Sequence, residues 1–279
     1  MAAEAEATQR TLTSSDGTRL HASDWVVESP RAWVAVAHGL GEHSGRYERL
    51  GRALNRYGFA CSAVDLRGMG RSQGRRGHVR RWSQWIEDYA AFHAALVEQA
   101  PGVEVVPLGH SFGGVLLVTA ILHGAVRPRR FVLSNPAFRS ARPLPSGRVR
   151  LARLASRLLP ALTQSNQVEP ESISRDPALV AEYRDDPLVH DRISARLFTE
   201  WQAASEEAMA RAAEIQVPFL LIVAAQDRLV DPQGAAEFSS RATADHAMRL
   251  YQGRYHEPFN DVGAEEVFAD LAAWLEGRG

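Results

Sequence analysis

Ser111 is the residue in this chain best suited by its neighbours to act as a nucleophile. It lies in Gly109-His110-Ser111-Phe112-Gly113, followed by Gly114, between an apolar run at residues 103–108 and an apolar helical pattern beginning near Val115. That is a G-x-S-x-G pattern in a strand–turn–helix context. Side chains at the flanking glycine positions would collide in so tight a turn. The turn lifts the hydroxyl clear of the strand and aims the backbone N–H groups that follow at a reacting oxygen. The chemistry this suits is attack on an ester carbonyl. A serine hydroxyl is a weak nucleophile until a base takes its proton, so a histidine and an acid that orients it must follow. In this architecture their chain order is serine, acid, histidine.

The acid is expected at the end of a late strand. The run at residues 219–224 leads into Ala225-Gln226-Asp227-Arg228-Leu229-Val230-Asp231-Pro232. Asp227 comes soonest after the run, where the chain turns over the sheet, and is the expected acid. Asp231 stands before a proline and a helical pattern, which suits a helix N-cap. The base is expected in the loop after the last strand, where Arg254-Tyr255-His256-Glu257 follows the run at 247–250, and is read as His256. His246 lies at the wrong end of that run, and His21, His93, His123 and His190 sit in no motif. The negative charge that develops on the substrate oxygen needs two backbone donors. Phe112 N–H supplies one, and Leu40 N–H, in His38-Gly39-Leu40-Gly41 after the run at 32–37, is the expected second. Glycines let that loop approach closely. His38 itself is read as a structural hydrogen-bonder.

The rest of the chain must hold these residues together. A hairpin is expected around Ser14-Ser15-Asp16-Gly17, because Asp-Gly supplies the positive φ of a tight turn. Beyond it, apolar runs at 32–37, 59–64, 103–108, 131–133, 219–224 and 247–250 alternate with helical patterns, among them 47–57 and 82–99. A last helix places Val267, Phe268, Leu271, Trp274 and Leu275 on one stripe. Most runs lack polar alternation, as strands covered on both faces do. The fold class is therefore α/β, with a mostly parallel, doubly wound sheet. Residues 138–192 break the rhythm with Pro143, Pro145, Pro160, Pro170, Pro177 and Pro187 and no convincing sheet strand. We read them as a small helical cap inserted between core segments 1–137 and 193–279. Within it, residues 146–159 form a helix with Leu151, Leu154 and Leu158 on one side and Arg150, Arg153 and Arg157 on another. A solvated face is the plain reading of those arginines. A basic amphipathic cap touching a lipid surface is the sharper one.

Bulk properties narrow the classes. The 279 residues are 45% hydrophobic and 23% charged, ordinary for a globular enzyme, and a net charge of -1 removes any broad case for nucleic-acid binding. The single cysteine, Cys61, rules out an intrachain disulfide and sits in an apolar run as a small buried hydrophobe would. The opening MAAEAEATQR carries Glu4 and Glu6 where a signal peptide would be basic and then apolar. The expected location is cytoplasmic, with peripheral membrane contact through the cap.

Longer stretches carry a resemblance. His38-Gly39-Leu40-Gly41-Glu42-His43-Ser44-Gly45-Arg46-Tyr47 resembles the loop signature of monoacylglycerol lipases and related lysophospholipases. Asp65-Leu66-Arg67-Gly68-Met69-Gly70-Arg71-Ser72-Gln73-Gly74 is similar to the segment after their next strand. With GHSFGG, QDRLVD and YHE, the likeness runs over nearly the whole chain. It implies an α/β-hydrolase fold with a cap over an acyl tunnel, hydrolysis of a monoacylglycerol or another acyl ester, and no metal or cofactor. By position it implies that Glu42 and Arg46 order the polar site receiving the glycerol group, the other reading being an ion pair that holds the oxyanion loop. Met69 stands where relatives often have histidine, Ala225-Gln226 replaces a common glycine, and Phe259 replaces a second histidine three residues after His256. Lysophospholipase, generic carboxylesterase, acyltransferase and a silent binding protein remain as alternatives.

Overall fold

The computed structural model describes residues 7–278; the acidic start at Glu4 and Glu6, read above as unlike a signal peptide, lies outside the described residues. The hairpin forms where Asp16-Gly17 places it, joining β1 (Thr8–Thr13) to β2 (Arg19–Trp25). There follow β3 (Trp33–Ala37), α1 (Glu48–Arg56), β4 (Ala60–Val64), α2 (Ser83–Gln99), β5 (Val105–His110), α3 (Phe112–Leu122) and β6 (Phe131–Ser134). The helix expected over 47–57 begins as a 3-10 turn, Ser44–Tyr47, before α1.

From Ser134 the chain leaves the sheet. It runs through α4 (Ser146–Leu158), β7 (Thr163–Ser165), α5 (Pro177–Asp185), β8 (Arg192–Ser194) and α6 (Ala195–Ala210). It rejoins the sheet at β9 (Phe219–Ala224), followed by α7 (Pro232–Arg241), β10 (His246–Tyr251) and α8 (Ala264–Leu275). β7 and β8 form an antiparallel ribbon separate from the main sheet. At three residues each, they are too short to show a hydrophobic period, which is why the sequence did not reveal them.

The main sheet has eight strands in the order β1-β2-β4-β3-β5-β6-β9-β10, parallel from β4 to β10. β3 is buried throughout, with Ala35 and Ala37 in one apolar layer and Val34 and Val36 in the other. Trp82, Trp85, Tyr89 and Phe112 pack in the first layer, and Leu50, Leu54, Phe268 and Leu271 in the second. Cys61, on β4, is wholly buried, and burial pushes its thiol pKa up. Strand order reverses at β3 and β5, and a crevice opens beyond the strand ends at such a reversal. There Ala37 pairs with Gly109, so the loop after β3 and the turn after β5 meet in register.

The leucines of α4 face outward. Leu151, Leu154 and Leu158 are exposed, as are Arg150, Arg153 and Arg157. The inward side is small, and Ser156 Oγ meets Thr199 Oγ1 of α6 at 2.8 Å. No helix among the described residues is long and apolar enough to cross a membrane.

Candidate active site

The turn after β5 has the shape its glycines require. Ser111 takes φ 53° and ψ -117°, a left-handed conformation that side chains seldom adopt. A Cβ on Gly109 would lie 2.5 Å from the Gly113 carbonyl oxygen, and one on Gly113 would lie 2.1 Å from that of Ala37. Ser111 N–H donates to the Ser134 carbonyl at 2.9 Å, and Ala137 N–H donates to the Ser111 carbonyl at 2.9 Å. The elbow is thus tied to the end of β6. Phe112 opens α3, so its N–H has no preceding helical carbonyl to meet.

Three elements bring a serine, a histidine and an aspartate into line. His256 Nε2 is 2.8 Å from Ser111 Oγ, and His256 Nδ1 is 2.6 Å from Asp227 Oδ2. The other oxygen, Oδ1, accepts from the N–H groups of Leu229 at 2.8 Å and Val230 at 2.9 Å. Oδ2 is therefore aimed at the imidazole by the loop itself. Asp231 is elsewhere: it caps α7, accepting from Gln233 N–H at 3.0 Å, and pairs with Arg139 at 2.7 Å. Burial opposes a charge on His256, yet the Asp227 carboxylate, with Glu257 and Glu42 beyond it, holds the imidazole above the ordinary 6.5.

That shift has a sign. A base must be neutral to accept the serine proton, so activity should disappear as pH falls through the raised value. The acid limb of kcat/KM against pH is expected above 6.5; a limb below it, in steady-state rates on a non-ionising ester, would contradict the geometry. His110, whose ring lies 5.0 Å from that of His256, does not compete for the proton. Burial and the neighbouring His256 charge push its pKa down to about 3.

The loop after β3 is braced from beneath. Gly39 N–H and Tyr47 O–H both donate to Glu42 Oε1, the latter at 2.9 Å. Arg46 bridges Glu42 at 3.5 Å and Glu257 at 2.6 Å, and its guanidinium lies 4.7 Å from the centre of the Tyr183 ring. Glu42 reaches the cavity wall, but Arg46 is not among the residues that line it. The ion pairs of the second reading are thus present, with Arg46 set behind Glu42 rather than on the cavity wall. Glu42 and Glu257 lie on either side of the guanidinium, and the Tyr183 ring covers one of its faces. His38 spends both nitrogens on backbone, Nδ1 donating to Gly39 O at 2.7 Å and Nε2 accepting from Leu66 N–H at 2.9 Å.

Two residues that sequence reading missed hold the site in register. Asn135, at φ 41°, donates from Nδ2 to the His256 carbonyl at 2.6 Å and accepts at Oδ1 from Ala224 N–H at 2.7 Å. One carboxamide thereby joins the loop carrying the histidine to the strand end before the acid. Asp261, fully buried, accepts from the N–H groups of Tyr255 and Arg175, both at 2.8 Å. It fastens the histidine loop to the segment before α5. Asn135 stands two residues past the fourth apolar run, and neither it nor Asp261 lies in a motif.

Above the serine is a cavity of about 630 Å³. Gly39, Leu40 and Phe112 line it beside Ser111 and His256, so both residues expected to supply oxyanion donors border the cavity. Leu144, Val149, Phe198 and Met209 make much of its wall apolar. Phe259 turns into the core, 3% exposed and stacked on Phe268. A serine, a histidine and an aspartate in hydrogen-bonded line beside a partly apolar cavity can together perform acyl transfer from an ester.

Comparison with known proteins agrees in fold and chemistry. The family described as serine aminopeptidase, S33 matches residues 28–263. A monoacylglycerol lipase of Mycolicibacterium smegmatis is 31% identical over 265 residues, covering 93% of each chain. An uncharacterized abhydrolase domain-containing protein of Dictyostelium discoideum is 32% identical over 96% of this chain, which spans only 29% of its length. The crystal structure of Paleococcus ferrophilus monoacylglycerol lipase superposes with a TM-score of 0.81 at 31% identity, covering 99% of this chain and all of that one.

Proposed function

Since the chain belongs to the serine aminopeptidase S33 family, and within it to the monoacylglycerol lipase and lysophospholipase group of α/β-hydrolase esterases, we propose that it hydrolyses monoacylglycerol through an acyl-enzyme on Ser111. His256, oriented by Asp227, takes the Ser111 proton as Oγ attacks the ester carbonyl. The N–H groups of Leu40 and Phe112 hold the tetrahedral oxyanion. His256 then protonates the departing alcohol, and a water activated by the same imidazole releases the fatty acid.

The observation that carries this reading is the Asp227–His256–Ser111 relay opening into an apolar cavity. The choice of monoacylglycerol is supported by relatives named for it that match along nearly their whole length. The exposed leucines and arginines of α4 extend the proposal to an anionic lipid surface from which the substrate is drawn. The Arg side chains neutralise headgroups and the leucines enter among the acyl chains.

Initial rates on an acyl-matched panel test it. The panel holds monoacylglycerol, lysophosphatidylcholine, a p-nitrophenyl ester and an amino-acid p-nitroanilide, each in detergent and on neutral or anionic vesicles. Monoacylglycerol should lead in kcat/KM by roughly tenfold, about 1.4 kcal/mol, and anionic vesicles should raise its rate. A faster lysophosphatidylcholine would move the chain to the lysophospholipases, and a faster anilide to peptide chemistry.

A further inference from the structure

The loops that carry the acid and the base leave the sheet side by side, from the paired strands β9 and β10, where Ala224 stands opposite Tyr251. Ahead of Asp227 they are fastened mainly by backbone. Ala225 N–H donates to the Tyr251 carbonyl at 3.0 Å, and Gln226 N–H donates to that of Arg254 at 3.1 Å. Gly253 N–H returns a bond to Gln226 Oε1. Beyond Asp227 this lacing stops. Among the described residues, 228–231 make a single hydrogen bond to the histidine loop, residues 252–262, from Arg228 Nη2 to the hydroxyl oxygen of Tyr255. The same two side chains stack, the guanidinium carbon lying 4.1 Å from the centre of the Tyr255 ring. A planar cation over an aromatic face is attracted by the negative charge of that face.

Place in the chain gives the contact its meaning. Arg228 directly follows Asp227, and Tyr255 directly precedes His256. Asp227 Oδ1 is spent inside its own loop, on the N–H groups of Leu229 and Val230. Those bonds aim the carboxylate, but they do not set how far away the histidine stands. Tyr255 is anchored on its own side, its N–H donating to the buried Asp261 at 2.8 Å. Arg228 is in no ion pair among the described residues; Glu169, close enough to feel its charge, is paired with Arg142 at 2.8 Å. Its guanidinium is thus committed to Tyr255 and to no carboxylate. Arg228 also borders both the catalytic cavity and a separate groove lined by Arg175, Arg184 and Glu171, so the stack stands in the wall between them.

We propose that Arg228 and Tyr255 form a clamp that sets the separation of Asp227 and His256, which makes both of them positioning residues for the proton transfer from Ser111. This deepens the acyl-enzyme reading and rests on it. Neither side chain moves a proton. With the clamp open, the two loops part beyond Asp227 and the imidazole loses register with the carboxylate, while substrate still binds. An error of about 1 Å in such an arrangement costs up to about a hundredfold in rate.

The test pairs p-nitrophenyl butyrate with a long-chain monoacylglycerol, because Arg228 borders the cavity and could touch a long substrate. Arg228→Ala and Tyr255→Ala should each lower kcat roughly tenfold on both esters and leave KM within about twofold. The double variant should lose little more than either single one, as the two halves of one contact do. Arg228→Lys can still place an ammonium on the ring and should recover part of the loss. The low-field proton resonance of His256 Nδ1–H, which reports the bond to Asp227 directly, should move upfield in both alanine variants and return toward its wild-type position in Arg228→Lys. A loss confined to KM or to the long ester, losses that multiply in the double variant, or an unmoved resonance would overturn the clamp and leave the triad standing. A folded wild type that a fluorophosphonate fails to label at Ser111 would instead remove the acyl-enzyme, and the role of the clamp with it.

Discussion

Ser111→Ala should lower turnover of the preferred ester by roughly 10⁵- to 10⁶-fold and leave the fold intact. The magnitude is that of removing the nucleophile from a serine–histidine pair, where orienting groups and oxyanion donors alone retain only a small residual rate. The fold should survive because only Oγ is lost; the bonds that set the elbow, to Ser134 and Ala137, are made by backbone. Alanine also accepts φ 53° no worse than serine does. Two measurements settle it: single-turnover kinetics, and intact-mass analysis after a fluorophosphonate probe, which should add one label to wild type and none to the variant. A folded wild type that fails to label at Ser111, or a variant keeping a hundredth of wild-type turnover, would end the acyl-enzyme mechanism.

The second large effect separates two aspartates four residues apart in the same loop. Asp227→Asn should cost roughly 10⁴-fold in kcat, because an amide can present a donor to Nδ1 and so favour the wrong tautomer. The pH profile should move too. With the carboxylate gone, burial dominates the imidazole, and the acid limb should shift downward from its wild-type position. Asp231→Ala, in contrast, removes a helix cap and an exposed ion pair. It should leave kcat within about threefold of wild type and lower stability by about 1 kcal/mol, read from chemical denaturation. If Asp231→Ala abolished turnover while Asp227→Asn spared it, the acid would be the wrong one. The His256–Asp227 pair also links pH to stability. Because the imidazole is held above 6.5, its contribution is fully present below that value and disappears as pH rises through the raised one. The pair therefore stabilises most where the enzyme works least.

These contrasts show which parts of the site were legible in the chain. Ser111, Asp227 and His256 could be read because each lies just past an apolar run, and runs buried on both faces are hard to mistake. The elbow glycines could be read because their spacing has one steric purpose. The brace under the oxyanion loop was half legible: Glu42 and Arg46 sit four apart and invite pairing, but Glu257, which completes the bridge, is 211 residues away from Arg46. Asn135 and Asp261 act through hydrogen bonds to backbone from distant segments, and nothing local marks such a bond. The same holds for β7 and β8, whose pairing depends on a crossing of the chain rather than on their own composition. The outward turn of the α4 leucines was equally unreadable, since an apolar stripe does not announce whether it faces core or solvent.

One feature of β4 has a practical bearing on how the cap could be followed. Cys61 is the sole thiol, sealed in the core and held protonated by its surroundings. A maleimide dye or spin label offered to the folded wild type should find no target. A cysteine placed at an exposed position of α4, such as Leu158→Cys, would then be the one reactive handle on the molecule without any prior removal of a native residue. Paired with a second handle on the rigid sheet, it would report in real time whether the cap moves when the protein meets a vesicle.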